Sequence, residues 1–111
     1  MKSKRTISEI EPVLPEIKRI LRKLYGRKLA EVVLYGSFVR GKANRDSDID
    51  IAIVLKDRVN KSREVTRAAD ALYDLMLETG ELISIYPVSR SELGESVWPL
   101  YRHIRNEGKR L

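Results

Sequence analysis

Apolar residues at helical spacing mark two long segments of the chain. The first covers residues 12–25 and stops at Gly26, which predicts a helix that ends at a glycine. Pro12 and Pro15 fit this helix only before or within its first turn, because proline cannot donate a backbone hydrogen bond farther along. The repeating apolar residues are Ile10, Leu14, Ile17, Leu21 and Leu24.

The second segment lies past the middle of the chain and predicts a helix that ends at Gly80. Either Asn60 or Ser62 can cap its first turn, since both side chains accept a hydrogen bond from a free backbone N–H. Its apolar positions are Val65, Ala69, Leu72, Leu75 and Met76. A shorter final helix is predicted over residues 100–107, closed by Gly108, after a turn-rich stretch.

Three segments rich in Val, Ile and Leu predict strands, namely Leu29–Tyr35, residues 48–55 and residues 81–88. Alternate residues of a strand face opposite sides of the sheet. In the second strand, Ile49, Ile51, Ile53 and Leu55 share one side, and Asp48, Asp50, Ala52 and Val54 share the other. Because the second side becomes apolar after Asp50, we expect both sides to be covered and the strand to be central.

The stretch between the first two strands is predicted to turn sharply at Gly36. Ser37 can then cap a short helix over residues 38–41, and residues 42–47 are polar turn sequence. The order helix, strand, short helix, strand, helix, strand, helix predicts an α/β fold of the α+β type, in which helices cover a small sheet. At 111 residues, we expect a single domain over residues 1–111.

The composition narrows the classes of partner and location. The chain has 22 Lys and Arg against 16 Asp and Glu, and the net charge of +6 favours anionic partners, although a merely solvated basic surface has the same composition. The absence of cysteine excludes disulfides and thiolate metal sites. No apolar run approaches the roughly 18 residues that span a bilayer, and no signal peptide is evident. We therefore expect a cytoplasmic protein that does not bind a membrane.

Two aspartates at the start of the second strand are the most informative polar residues. Asp48 and Asp50 lie two positions apart, so on a strand their carboxylates point the same way, and two like charges there are costly unless something cancels them. The ordinary structural explanation is a turn over residues 46–48, with Asp48 capping backbone N–H groups and Asp50 facing water. Taken alone, the pair does not decide between this turn and a charged site.

A Gly-Ser pair upstream favours the charged site. Gly36 permits the close approach of a ligand, and Ser37 would begin a helix whose free N–H groups attract phosphate. Arg40, one turn farther, can add positive charge to the same anion. Mg²⁺ accepts one or two protein carboxylates and completes its shell with water and phosphate oxygens. Together these residues predict a metal-dependent site for phosphoryl or nucleotidyl transfer, although the Walker A spacing is absent.

Residues 35–55, YGSFVRGKANRDSDIDIAIVL, resemble the signature of the DNA polymerase beta-like nucleotidyltransferase superfamily. That signature is a Gly-Ser pair, ten residues, and Asp-x-Asp flanked by apolar residues. More closely, the chain resembles the small stand-alone enzymes called minimal nucleotidyltransferases. The resemblance implies the nucleotidyltransferase fold, with a small mixed central sheet flanked by helices.

The resemblance also implies a function. A nucleoside monophosphate would be transferred from an NTP, with ATP expected, to an acceptor, and pyrophosphate would leave. Gly36 and Ser37 would hold the β- and γ-phosphates, and the catalytic Asp48 and Asp50 would hold two Mg²⁺ ions, with Mn²⁺ as the alternative metal. In the family, such domains often act with a helical HEPN-class protein, a small nucleotide-binding or RNase domain, as the antitoxin of a toxin–antitoxin pair.

The family usually supplies a third acid from the next strand, and this chain departs from that pattern. The aligned position is Ser84, in ELISIYPV. Glu81 is the nearest acid, but it faces the other side of a regular strand, so only a bulge or a late strand start would bring it in. Without a third carboxylate, metal and NTP binding can survive while transfer is slow or lost.

Three other features have ordinary structural explanations, which we prefer. His103, the only histidine, is expected to pack or to lie at the surface, since a lone imidazole makes no metal site. Trp98, Pro99 and Tyr101 are expected to lock the last helix onto the core rather than to form an interaction patch. The basic residues of the first helix are expected to be solvated rather than to bind RNA.

Two rival functions stay open. A catalytically inactive module that binds an NTP or a partner is favoured by Ser84 and by a chain too short for a separate acceptor domain. A stand-alone nucleic-acid-binding protein is favoured by the net charge, but the chain lacks interleaved aromatic residues, so we do not prefer it. The sequence does not determine the acceptor or the oligomeric state, and a homo-oligomer is one alternative.

Overall fold

The computed structural model describes residues 3–111. The helices are α1 (Ile7–Ile10), α2 (Leu14–Tyr25), α3 (Lys61–Thr79), α4 (Arg90–Glu95) and α5 (Pro99–Glu107), and the strands are β1 (Leu29–Tyr35), β2 (Ile49–Leu55), β3 (Ile83–Ser89) and β4 (Lys109–Arg110). The strand order is β3-β2-β1-β4, in which β2 and β3 are parallel and the other neighbours are antiparallel. The predicted α/β fold with a small mixed sheet flanked by helices is confirmed.

Strand β2 is central, as its pattern predicts. It pairs with β1 on one side and with β3 on the other. One side of the strand, formed by Ile49, Ile51, Ile53 and Leu55, is buried in the larger core cluster, to which α2 and α3 contribute. The opposite side packs Ala52 and Val54 against residues from α4 and α5. The chain therefore covers both sides of the sheet with helices.

The two long helices end where their glycines predict. Helix α2 begins at Leu14, two residues later than expected, with a proline in its first turn, and Gly26 follows it at a positive φ of 56°. Helix α3 is capped by Asn60, whose side chain accepts a hydrogen bond from the backbone N–H of Arg63, and Gly80 closes it in the left-handed conformation. Of the two cap residues that the sequence left open, the structure therefore uses Asn60.

The short helix predicted over residues 38–41 is wrong, because the segment is a hydrogen-bonded turn. Its backbone bonds span different lengths: the N–H of Arg40 donates to Gly36, that of Gly41 to Phe38, and that of Lys42 to Ser37. Both Gly36 and Gly41 have positive φ, at 83° and 72°. A single turn enclosed by two such glycines cannot repeat the helical geometry.

The end of the chain differs from its predicted elements in three places. Strand β3 begins at Ile83 rather than at residue 81. The stretch that follows it, predicted as a turn, contains α4, which is capped by the side chain of Ser89. Helix α5 matches residues 100–107 apart from one added residue, and the chain then adds the short strand β4 against β1.

The aromatic residues before and within α5 behave differently from one another. Tyr101 is buried at 6% exposure and locks α5 onto the sheet, as expected. Trp98 is 71% exposed, so the expectation that it packs onto the core is wrong. Trp98 is the residue immediately before α5, and its indole stays largely in solvent. No helix within residues 3–111 is both long and apolar enough to cross a bilayer.

Candidate active site

Strand pairing brings the Gly-Ser turn against the aspartates. Because β1 and β2 are antiparallel, Tyr35 at the end of β1 lies opposite Asp50 near the start of β2, and Gly36 follows directly. A Cβ built on Gly36 would overlap the Asp50 Oδ2 atom, and φ at Gly36 is 83°. Two reasons therefore require glycine at this position: the backbone conformation has a positive φ, and the Asp50 carboxylate occupies the space of a Cβ.

The two aspartates form a carboxylate pair in which the pKa of Asp50 is raised. Asp50 is half-buried, and burial is the main cause that raises its pKa above the ordinary value. The negative charge of Asp48, just before β2, raises that pKa further, whereas His103 opposes the shift. The pair thus lies close enough to repel, and a bound cation would relieve that repulsion.

The donor set available at this pair fits a hard divalent cation. No group of three or more His, Cys, Asp or Glu side chains within residues 3–111 is arranged as a metal site. Within those residues, the acidic side chains offered at this position are Asp48 and Asp50. Mg²⁺ is commonly held by one or two carboxylates, with water and substrate phosphates as its other ligands, so two aspartates suit a magnesium-nucleotide better than a fully protein-enclosed ion.

The turn after Gly36 presents free backbone donors beside the carboxylates. Among the hydrogen bonds of residues 3–111, none uses the backbone N–H of Ser37, Phe38 or Val39 as a donor. Successive amides of this kind can bind an anion without being part of a helix. Of the two residues expected to bind phosphate, Ser37 has a free N–H, whereas the N–H of Gly36 donates to His103, and the predicted helix is absent.

His103 connects helix α5 to the Gly-Ser turn. Its Nε2 atom accepts a hydrogen bond of 2.8 Å from the backbone N–H of Gly36, so the ring proton lies on Nδ1, which donates to the Glu107 carboxylate. The imidazole is 8% exposed and contacts the ring of Tyr35 edge-on. The expectation that His103 packs is consistent with this burial, but its contact with Gly36 was not foreseen.

Arg40 lies on the α5 side of the site. Its guanidinium is 3.6 Å from the Glu107 carboxylate, and half of its side chain is exposed. It lines a cavity of about 310 Å³ together with Pro99, Arg102 and His103. Arg102 therefore lies beside Arg40 as a second cation, and no sequence motif indicated it.

Comparisons with known proteins give the family. A family model described as a nucleotidyltransferase domain matches residues 14–108. The chain belongs to this nucleotidyltransferase family. It is 26% identical over 102 residues to a putative protein adenylyltransferase of Methanocaldococcus jannaschii, an alignment that covers 91% of this chain and 96% of that protein. It is also 44% identical over 48 residues to the protein adenylyltransferase MntA of Thermococcus cleftensis, which covers 43% of this chain and 46% of that protein.

Solved structures show the same fold. A toxin–antitoxin complex named MntA–HpeT matches with a TM-score of 0.61 at 23% identity, covering 88% of this chain and 70% of that one. A toxin–antitoxin structure with AMP-PNP matches with a TM-score of 0.63 at 24% identity, covering 86% and 69%. At these identities the likeness concerns the nucleotidyltransferase fold.

Within this nucleotidyltransferase fold, the position expected for a third acid is a serine. Ser84 pairs directly with Asp50 across the parallel strands, so their side chains project from the same side of the sheet. The register between β2 and β3 runs without a shift from Ile83 to Ser89, so no bulge exchanges Ser84 for a neighbour. The alignment of Ser84 with the third position therefore agrees with the register.

Glu81 is committed to another partner. It lies before β3, and its two carboxylate oxygens accept hydrogen bonds of 2.8 and 2.6 Å from the guanidinium of Arg5. This pairing holds the pKa of Glu81 below its usual range. The same guanidinium lies 5.4 Å from the centre of the Phe38 ring. Glu81 thus anchors the segment around Arg5, which precedes the part matched by the family model, and its hydrogen bonds go to Arg5 rather than to the aspartates.

Proposed function

We propose that this chain transfers a nucleoside monophosphate from an NTP, with ATP as the expected donor, to an acceptor while pyrophosphate leaves. The observation that carries the proposal is the close approach of Gly36 to Asp50, because the three residues after Gly36 donate no backbone hydrogen bond within residues 3–111 and Asp50 belongs to a pair of repelling carboxylates. Phosphoryl-transfer sites need both features, because the phosphates require donors and their charge requires a cation.

In this proposal each residue has a stated role. Asp48 and Asp50 hold the divalent metal, Mg²⁺ or Mn²⁺, which when bound supplies charge neutralisation and polarises the phosphate undergoing attack. The backbone N–H groups of Ser37, Phe38 and Val39 donate hydrogen bonds to the terminal phosphates, and Gly36, whose own N–H is bonded to His103, provides the turn that presents them. Arg40 adds positive charge from the α5 side. The burial of Asp50 and its repulsion by the Asp48 charge favour a bound cation over an empty pair.

We also propose that the acceptor is a protein and that the chain works with a helical partner of the HEPN class in the cytoplasm. Relatives are named protein adenylyltransferases, and matching structures are named toxin–antitoxin complexes. Co-expression with a HEPN-class protein from the same source, followed by intact-mass spectrometry, tests this proposal. An adenylyl adduct on the partner supports it, and an unmodified partner that does not co-purify contradicts it.

A second candidate function is an NTP-binding module without transfer. The observation that favours it is Ser84, which occupies the position of the third carboxylate beside Asp50. In such a module Mg-ATP would bind, but no acceptor hydroxyl would be activated at a useful rate. The two candidates therefore differ in turnover and agree in binding.

Incubation with ATP labelled at the α-phosphate and Mg²⁺ distinguishes them. Label transferred to a protein acceptor supports the enzyme, and binding without transfer supports the module. Asp50→Asn should abolish metal-dependent ATP binding in either case. Asp57→Asn is the matched control, because Asp57 is an exposed residue just beyond the opposite end of β2 and its replacement changes the net charge equally. Equal loss in both variants would contradict the assignment of Asp50.

A further inference from the structure

An aromatic cavity lies beside α5, apart from the carboxylates. It has a volume of about 370 Å³ and is lined by Tyr86, Trp98, Pro99, Leu100 and Tyr101. Trp98 is 71% exposed and Leu100 is 36% exposed. A tryptophan left largely in water beside an apolar cavity indicates a surface that a ligand or partner covers.

The cavity opens on the same side of the sheet as the aspartates. Tyr86 follows Ser84 by two positions on β3, so both side chains project from one side, and Ser84 pairs with Asp50. Two residues of a strand span roughly 7 Å. Tyr86, which lines the aromatic cavity, therefore lies roughly 7 Å along β3 from Ser84, the residue paired with Asp50.

A shared residue joins this cavity to the basic one. Pro99 lines both the aromatic cavity and the cavity that contains Arg40, Arg102 and His103. The two cavities thus adjoin along α5, with Arg40 and Arg102 beside the Glu107 carboxylate at one end and aromatic side chains at the other. A nucleotide has a matching arrangement, because its anionic polyphosphate lies at one end and its flat aromatic base at the other.

The floor of the aromatic cavity is held rigid by a hydrogen-bonded cluster. The Lys61 ammonium donates to the hydroxyls of Tyr86 and Tyr101 and to the Glu92 carboxylate, at 3.2, 2.9 and 3.1 Å. The two tyrosine hydroxyls lie 2.7 Å apart, and Tyr101 also donates to Glu92. A preorganised floor reduces the entropy that binding would cost.

We propose that this cavity holds the base of the bound nucleotide, with the base stacked on the indole of Trp98. The inference rests on the nucleotide-binding part of the proposed function and extends it to base recognition. The hydroxyls of Tyr86 and Tyr101 are engaged by Lys61 and Glu92, so the cavity recognises the face of the base rather than its hydrogen-bonding edge. Stacking of this kind tolerates different bases, so ATP and GTP bind with similar affinity.

The chain contains one tryptophan, so its intrinsic tryptophan fluorescence reports on Trp98 alone. We expect Mg-ATP to change this fluorescence with a saturable dependence on concentration. Magnesium tripolyphosphate, which lacks the base, should bind by calorimetry and leave the fluorescence unchanged. This first measurement uses the unaltered protein and does not depend on the folding of a variant.

Substitution of the indole provides the second measurement. Trp98→Leu should weaken Mg-ATP binding about 5- to 150-fold, the range expected for loss of one base–aromatic stack, while tripolyphosphate affinity stays unchanged. Trp98→Phe should recover much of the affinity. Val97→Ala is the matched control, because Val97 is 83% exposed and does not line the cavity.

The outcomes separate this inference from the function on which it rests. If Mg-ATP binds by calorimetry but neither alters Trp98 fluorescence nor loses affinity in Trp98→Leu, the base lies elsewhere and the proposed function stands. If Trp98 fluorescence responds to a protein partner and not to nucleotide, the cavity is a docking surface and the inference is overturned. If neither ATP nor tripolyphosphate binds in the presence of Mg²⁺, both proposals fail.

Discussion

At the scale of single residues, the site depends on how closely Gly36 and Asp50 approach. The backbone N–H of Gly36 donates a hydrogen bond to the side chain of His103. The Asp50 carboxylate leaves no room for a Cβ on Gly36. The same residue therefore fixes the distance between α5 and β2 at this end of the sheet. The chemistry of the site is sensitive to one methyl group at this position.

A substitution pair isolates this close approach. Gly36→Ala and Gly41→Ala both place alanine at a positive φ, which costs roughly 1 to 2 kcal/mol. A Cβ on Gly41 meets no atom within 4 Å, whereas one on Gly36 overlaps Asp50. We expect Gly41→Ala to lose only that stability in urea unfolding and to keep Mg-ATP binding. Gly36→Ala should lose more stability and abolish binding, and equal behaviour of the two variants would contradict the steric argument.

The raised pKa of Asp50 predicts a pH-dependent effect of its replacement. A carboxyl group whose pKa is higher in the folded than in the unfolded chain stabilises the fold when protonated, and that stability is lost as the pH rises through the folded pKa. In metal-free buffer, Asp50→Asn should therefore unfold at a higher temperature than the natural chain at pH 7, with the difference shrinking toward pH 4. Asp57→Asn, which removes an equal charge at an exposed position, is measured beside it as the control. A lower melting temperature for Asp50→Asn at pH 7 would show that the carboxylate supports the fold.

The sequence was informative about the aspartates and the Gly-Ser pair because their signal is local. Asp48 and Asp50 lie on one short stretch with Gly36 and Ser37 upstream. The contribution of His103 is different, because the hydrogen bond that reaches Gly36 joins residues 67 positions apart. The i,i+4 spacing of His103 and Glu107 is the one local signal for a contact of that imidazole. This spacing does not indicate that His103 also reaches Gly36 at the end of β1.

At the scale of elements, the helices with a sustained apolar repeat were predictable and the shortest elements were not. Asn60 and Gly80 frame α3, and Gly26 ends α2. Helix α4 is six residues long, contains Gly94, and follows β3 without a loop, so no apolar repeat develops. Strand β4 is two residues long and exists through its pairing with β1. Tertiary contacts, which the local pattern does not contain, decide such short elements.

The cap of α3 gives a test at this scale. Asn60 accepts a hydrogen bond from the backbone N–H of Arg63, whereas the hydroxyl of Ser62 donates to Asn60. Asn60→Ala should therefore lower the free energy of unfolding by about 1 kcal/mol, the usual effect of removing a helix cap. Ser62→Ala should change it by less than roughly half of that amount. Urea unfolding of both variants measures the difference, and a larger loss in Ser62→Ala would reassign the cap.

At the scale of the whole molecule, the sheet assembles the site from distant segments. Tyr35, Asp50 and Ser84 form one row across β1, β2 and β3, because β1 runs against β2 while β3 runs parallel to it. That row places the turn after β1 and the starts of β2 and β3 at one end of the sheet. The family pattern predicted which position Ser84 takes, but the pairing of strands determines that its side chain lies beside Asp50.

This row leads to a prediction about the missing acid. Ser84→Asp should tighten Mn²⁺ binding, measured by calorimetry, because a third carboxylate adds charge beside two that already favour a cation. It should also raise any nucleotidyl transfer, since activation of an acceptor by a metal or base is commonly worth about 10²- to 10⁴-fold. Tyr86→Asp is unsuitable as a control, because it disrupts the cluster around Lys61.

Glu81→Gln provides the matched comparison. Because Glu81 pairs with Arg5, this change should lower the free energy of unfolding and leave Mn²⁺ binding and transfer unaltered. Removal of the Glu81 charge weakens its pairing with Arg5, which holds the N-terminal segment in place, and does not change the ligands of the metal site. If Glu81→Gln abolished transfer while Ser84→Asp changed neither metal binding nor rate, Glu81 would be the third acid, and the N-terminal segment would have to release it when nucleotide binds.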